Sequence, residues 1–269
     1  MRARTLRSVI IDLLVFALGF LSLLAPFLFQ QARNPGFSQS SFPIMVSLII
    51  LLCVFMILFE AQTQFLDSRM IALLGVLIAI NAGLRFLETA IPGPAGFSPT
   101  FFLIILVGYF FGSRVGFLMG AMTMFVSGLI TGGVGPWLPG QMITAGWVGQ
   151  SASLLKPLTG KVKFSGKSLE IILLATFGVF WGMLYGLIMN LWFWPFIAST
   201  PNMIWTQSAS LGENFNRYIA YYLATSLVWD ITRAIGNLLI ITTMAAPVIK
   251  IFQRFNLRFS FRHSQERSS

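Results

Sequence analysis

A succession of apolar runs, each close to the length a bilayer demands and parted by short polar joints, constrains this chain more than any other feature. The first is Val9–Phe29, and about 20 apolar residues let a helix cross the hydrocarbon. It is long for the core of a signal peptide and no A-x-A cleavage site follows, so it reads as a span. Further runs lie at Pro43–Phe59, about Met70–Leu87, Thr100–Phe111, Val115–Ile130, about Gln141–Leu155, about Leu169–Ile197 and Tyr218–Ile249. Composition excludes a soluble alternative. Of 269 residues, 56% are hydrophobic and 10% charged, against about 25% charged in a soluble domain. The reading is an all-α polytopic membrane protein of about eight spans.

The joints carry the basic residues, and their placement predicts topology. Net charge is +10, which in a soluble protein would suggest nucleic acid. Here Arg2, Arg4, Arg7, Arg69, Arg114, Lys156, Lys161, Lys163, Lys167, Lys250, Arg254, Arg258, Arg262 and Arg267 fall on one side of the eight-span scheme. The other side holds Arg33, with Arg217 at a boundary. The positive-inside bias places both termini in the cytoplasm of a plasma-membrane protein and assigns the basic residues to lipid headgroups rather than nucleic acid. The joints Glu88–Pro99, Thr131–Gln141 and Ala198–Asn216 then lie outside as polar loops, and the basic tail from Ile251 reads as a surface or disordered segment.

Charges at membrane depth are costly and each is a functional candidate. Arg85 and Glu88 stand one helical turn apart at the outer end of the third span; Asp230 and Arg233 have the same spacing in the eighth. At i, i+3 each pair can neutralise itself on one helix face, a pattern that serves helix docking as well as ligand contact. Asn81, Asn190 and Asn237 read as interhelical hydrogen-bonding groups. The lone histidine, His263, lies in the tail, so no Ser-His-Asp or Cys-His set can be assembled in the membrane. Metal-ligand spacing is absent and no cofactor is expected. Gly160–Ser168 imitates a phosphate-binding loop, but five residues separate its glycines where four are needed. ATP, if used, is hydrolysed by another subunit.

Small residues recur four apart. Gly75, Ala79 and Gly83 make one such stripe, read as packing inside the bundle or as facing a partner, the former favoured; Gly112, Gly116 and Gly120, and Gly178, Gly182 and Gly186, make two more. Thr131–Gly149, TGGVGPWLPGQMITAGWVG, is different. Gly133, Gly135, Pro136, Trp137 and Pro139 concentrate turn formers and a large aromatic where the chain re-enters the membrane. The stretch reads as a stiff connector with interfacial Trp anchors or as the rim of a ligand site.

Phe97–Gly149 resembles the substrate-binding S components of energy-coupling factor (ECF) vitamin transporters, most nearly the cobalamin type. The match rests on a helix, the Gly112-Ser113-Arg114 turn, a second helix, and a loop in which Gly133, Gly135, Pro136, Trp137, Pro139, Gln141 and Met142 fit the pattern G-x-GPW-x-P-x-QM. The resemblance implies a six-helix bundle that captures a vitamin from outside, docks on a transmembrane coupling (T) subunit with two ATPases, and topples in the membrane to release its cargo. It makes the chain a capture subunit without enzymatic activity of its own. Docking in that family uses small residues of the first core helix, where Gly75, Ala79 and Gly83 stand here. The expected division is an N-terminal hairpin over 1–62, the core over 63–250 and a basic tail over 251–269. Expected ligand contacts are Arg85, Glu88, the loop residues Gly133 to Gln141 with Trp137 as stacking face or lid, and Asn190, Trp194, Asp230 and Arg233. A membrane-embedded lipid-modifying enzyme using Glu88 or Asp230, and a stand-alone secondary transporter, are the alternatives.

Overall fold

The computed structural model describes residues 68–90, 97–135, 137–156, 167–196, 200–206 and 208–266, with Leu13, Phe16, Ala17, Gly19, Phe20 and Phe27 ahead of them. The span expected at Pro43–Phe59, Pro136 and most of the connector around Gly160–Ser168 lie outside these residues. Seven helices make up the described core. They are α1 (Ser68–Ala90), α2 (Thr100–Phe111), α3 (Ser113–Thr131), α4 (Leu138–Ala152), α5 (Lys167–Phe193), α6 (Leu211–Thr225) and α7 (Leu227–Glu266). No strand occurs among the described residues. Four helices, α1, α3, α5 and α7, are long and apolar enough to cross a membrane. Their outward faces carry Val76, Ile80, Ile172, Phe180, Ile235 and Leu239, all exposed to what would be lipid.

The other described helices differ in length and limits from the expected runs. Helix α2 has the expected limits, but 12 residues reach only about 18 Å, well short of the hydrocarbon. It is apolar on every side and buried from Thr100 to Tyr109, which suits a helix enclosed by others. Helix α4 starts at Leu138, three residues before the expected Gln141, with Pro139 in its first turn. That position tolerates proline because its N–H would have no helical partner.

The eighth run is two helices rather than one. Helix α6 begins at Leu211 within the expected loop, set off by a capping box. Glu213 N donates to the Ser210 hydroxyl at 3.3 Å while the Glu213 carboxylate accepts from Ser210 N at 2.9 Å. Ser226, with φ −135°, then breaks the axis before α7. Helix α7 runs on to Glu266, so most of the basic tail is helical. No glycine interrupts that tail, whereas Pro247 is accommodated inside the helix.

Glycine sets how closely the interior helices meet. Gly112, at φ 100°, turns α2 into α3 through a region open almost only to glycine. Gly108, Gly116 and Gly149 then bring α2, α3 and α4 together; a Cβ at any of the three would strike backbone of its neighbour. One stripe higher, a Cβ at Gly120 would strike the Ala145 carbonyl. The Gly178, Gly182 and Gly186 stripe seats α7 against α5, with Ala234 Cα only 2.7 Å from where a Gly182 Cβ would stand. Both stripes fulfil the small-residue reading.

The Gly75, Ala79 and Gly83 stripe does not pack inside the described bundle. Gly75 and Ala79 are exposed, and no described atom lies within 4 Å of a Cβ built at Gly75 or Gly83. Helix α1 instead turns Leu74, Leu77, Ile78, Asn81 and Ala82 inward. The described N-terminal residues pack elsewhere. Phe16 stacks on Trp147 at 4.9 Å, Gly19 lies against Ile143 and Trp147, and Phe27 meets Trp194 and Trp205 edge-on.

Candidate functional site

The intramembrane charges converge at the end of the bundle marked by Gly132. Arg85 comes from the last turns of α1. Its Nη1 donates to the Ser127 hydroxyl of α3 at 2.8 Å and lies 3.1 Å from Met124 Sδ, and its Nη2 donates to Gln141 Oε1 of α4 at 3.2 Å. Arg85 on α1 therefore links α3 and α4. Glu88 turns toward the start of α2, accepting from Thr100 Oγ1 at 3.4 Å and from Ser98. Both guanidiniums, Arg85 and Arg233, lie within its electrostatic reach.

The second pair behaves as its spacing predicts. Arg233 and Asp230 form an ion pair on α7, and Asp230 is 1% exposed, so the pairing offsets a burial that would otherwise be prohibitive. Asp230 presses against α5 where Gly186 has no side chain. Arg233 also donates to the Gly182 carbonyl at 3.4 Å and lies over the Tyr185 ring at 5.6 Å. Tyr185 links the two halves. It is buried, within electrostatic reach of Arg85, Glu88 and Arg233, and its ring tilts against Phe101 at 4.7 Å. Asp230 thus faces Arg233 on its own helix and the Tyr222 hydroxyl from α6.

The structure therefore brings together Arg85, Glu88, Gln141, Asp230 and Arg233 from α1, α4 and α7. Tyr185, Ser127, Ser98, Thr100 and Phe101 join them without having been singled out in the sequence. A tyrosine or serine inside an apolar run carries no periodic signal, although Tyr185 follows the Gly182 position of the small stripe, which could have marked it.

The remaining expected contributors that are described make local contacts. Trp137 folds onto its own turn, its indole N–H donating to the Gly133 carbonyl at 3.0 Å and its ring covering Gly135. It stacks loosely with Phe193, centroids 6.2 Å apart. Asn190 donates to the Gly186 carbonyl of its own helix at 2.9 Å. Trp194 belongs to a second aromatic cluster with Tyr218, Tyr221 and Tyr222, and donates to the Met203 carbonyl at 2.7 Å. Pro139 is buried in the first turn of α4. The loop residues Gly133 and Gly135 shape the turn, with Gly132 at φ 65° ending α3. Asn81 and Asn237 act between helices as read, Asn81 donating to the Thr100 carbonyl at 3.0 Å and Asn237 to the Gly178 carbonyl at 2.9 Å.

A bundle of apolar helices with a polar, charge-bearing centre near one end defines a polytopic membrane protein. The particular kind follows from comparison. The model of the ECF transporter substrate-specific component family matches residues 69–245, from the start of α1 to well into α7, and the chain belongs to that family. Membership makes it a substrate-specific subunit of an ECF importer in the plasma membrane, with a small-molecule substrate and with T and ATPase partners. No curated protein and no solved structure matches the chain.

Proposed function

We propose that this subunit captures a vitamin or related micronutrient at the cluster around Arg85, Glu88, Gln141, Tyr185, Asp230 and Arg233, with cobalamin the first candidate. One observation carries the reading. Groups from α1, α3, α4, α5 and α7, and from the segment entering α2, meet at one place that a packed apolar bundle has no structural need to polarise. Charged residues facing a bundle interior are costly, which makes each a candidate for substrate contact. The loop from Gly132 to Leu138 borders this end as a stiff rim, and the charge bias of the joints puts the same end outside with both termini in the cytoplasm. The cobalamin assignment rests on the GPW-x-P-x-QM loop.

The outward stripe of Gly75, Ala79 and Gly83 is the proposed docking face for the T subunit, since a bare small-residue stripe lets a second helix approach closely. The described N-terminal residues Phe16, Gly19 and Phe27 contact α4, Trp194 and Trp205 rather than that stripe. Titration of the purified protein with cobalamin, riboflavin, biotin, thiamine, folate and queuosine precursors tests the reading. Binding of one of them, weakened by Arg85→Ala and Arg233→Ala, is expected. Saturation by none would remove the vitamin assignment.

A further inference from the structure

We infer that Gln141, oriented by Arg85, donates its side-chain amide to an acceptor on a ligand that carries no net charge. The inference rests on the capture reading above and narrows it to a chemical class.

The orientation follows from donor and acceptor chemistry. A guanidinium offers N–H groups and no acceptor. Arg85 Nη2 lies 3.2 Å from the Gln141 side chain, so the amide must turn its oxygen to Arg85; the flipped amide would set donor against donor. Arg85 is itself held from the other side by Ser127, whose hydroxyl in turn donates to the Met124 carbonyl at 3.1 Å. Arg85 is thus a positioning residue for Gln141. The Gln141 NH2 points away from it. Among the described residues nothing accepts from that NH2, and Gln141 is half-buried rather than sealed. The group it presents can only donate.

The charge balance then restricts what carries the acceptor. The cluster holds two basic side chains, Arg85 and Arg233, and two carboxyl groups, Glu88 and Asp230. Asp230 is committed to Arg233, and Glu88 lies in the field of both guanidiniums. An additional net charge brought into this interior would meet compensated partners and keep most of its desolvation cost. A carboxylate is an acceptor too, but it fails on charge. An amide, lactam, urea or ring nitrogen on a neutral or internally balanced molecule satisfies both conditions.

Calorimetric titration of the purified full chain with matched pairs tests this. Suitable pairs are nicotinamide and nicotinate, biotinamide and biotin, and cobalamin and the monocarboxylic acid made by hydrolysing one of its side-chain amides. The neutral member of a bound pair is expected to bind about tenfold tighter or more. Gln141→Glu keeps an oxygen on Arg85 but exchanges the donor for an acceptor and unbalances the charge, so the neutral member is expected to weaken by about tenfold or more. A structural role alone would lower affinity for both members alike and leave their ratio unchanged. Tighter binding of the acid, selection of a net cation such as thiamine, or a Gln141→Glu protein with wild-type melting and wild-type affinity overturns the inference while leaving capture intact. The wild-type ratio decides the matter even if the variant does not fold. Failure of every pair and of every vitamin above removes the capture reading and this inference with it.

Discussion

At the residue scale, one missing side chain decides whether a buried charge is tolerable. Asp230 occupies the space a Gly186 side chain would fill. Gly186→Ala is expected to push the carboxylate out of register with Arg233 and to cost about 1–3 kcal/mol of stability, read as an earlier melting transition in detergent. Gly212, around which no described atom lies within 4 Å of a built Cβ, serves as the comparison, and Gly212→Ala is expected to melt close to wild type. Legibility was uneven at this scale. Asp230 and Arg233 announced their pairing through i, i+3 spacing, because a salt bridge on one helix is a local property. Arg85 has the same spacing from Glu88, yet it reaches Ser127 and Gln141, which stand 42 and 56 residues away. Such partners are fixed by packing, and no spacing rule within one helix reveals them.

At the scale of elements, hydropathy located helices whose whole length meets lipid and erred where polarity and helicity part company. Helix α6 shows why. Its first residues, Leu211–Arg217, are too polar to suggest a span, but its capping box and its alternation of a tyrosine face, Tyr218, Tyr221 and Tyr222, with a polar face carrying Glu213 and Asn216 make it a helix all the same. The loop before it is tied down by Asn214, which donates to the Thr206 carbonyl at 2.8 Å, and by Arg217, which donates to the Ile204 carbonyl at 3.3 Å. Hydrogen bonds from the Ser210 backbone, and then from its hydroxyl, hold the Glu213 carboxyl below its ordinary value. A depressed carboxyl pKa stabilises the turn above the ordinary Glu range, and the contribution fades as pH falls through the lowered folded value. Ser210→Ala is expected to speed hydrogen exchange of the first α6 amides several-fold near neutral pH. That difference from wild type should shrink in acid, where Glu213 is protonated in both proteins. A constant difference across the pH range would assign the cap to the hydroxyl alone.

For the whole molecule, the informative contrast is between three small-residue stripes that look alike in sequence. Two close onto neighbouring helices; Gly75, Ala79 and Gly83 face away from the bundle. Nothing in a four-residue period says which side of a helix will find a partner, because that depends on where Leu74, Leu77, Ile78 and Ala82 are drawn. If the outward stripe meets the T subunit, Ala79→Leu is expected to lower recovery of the assembled importer in affinity pull-down by about tenfold or more while leaving ligand titration of the isolated subunit unchanged. Equal loss in both measurements would make α1 a structural helix and place docking elsewhere.

The glycine seam of α2, α3 and α4 has a mechanical consequence. Where Gly108, Gly116 and Gly149 touch, backbone rests on backbone, and no rotamer lies between the helices to yield under load. A joint of that kind transmits displacement without absorbing it. The seam makes the centre of the protein a stiff wedge, so a reorientation within the bilayer is expected to leave distances across it unchanged and to be accommodated by the surrounding annulus of lipid.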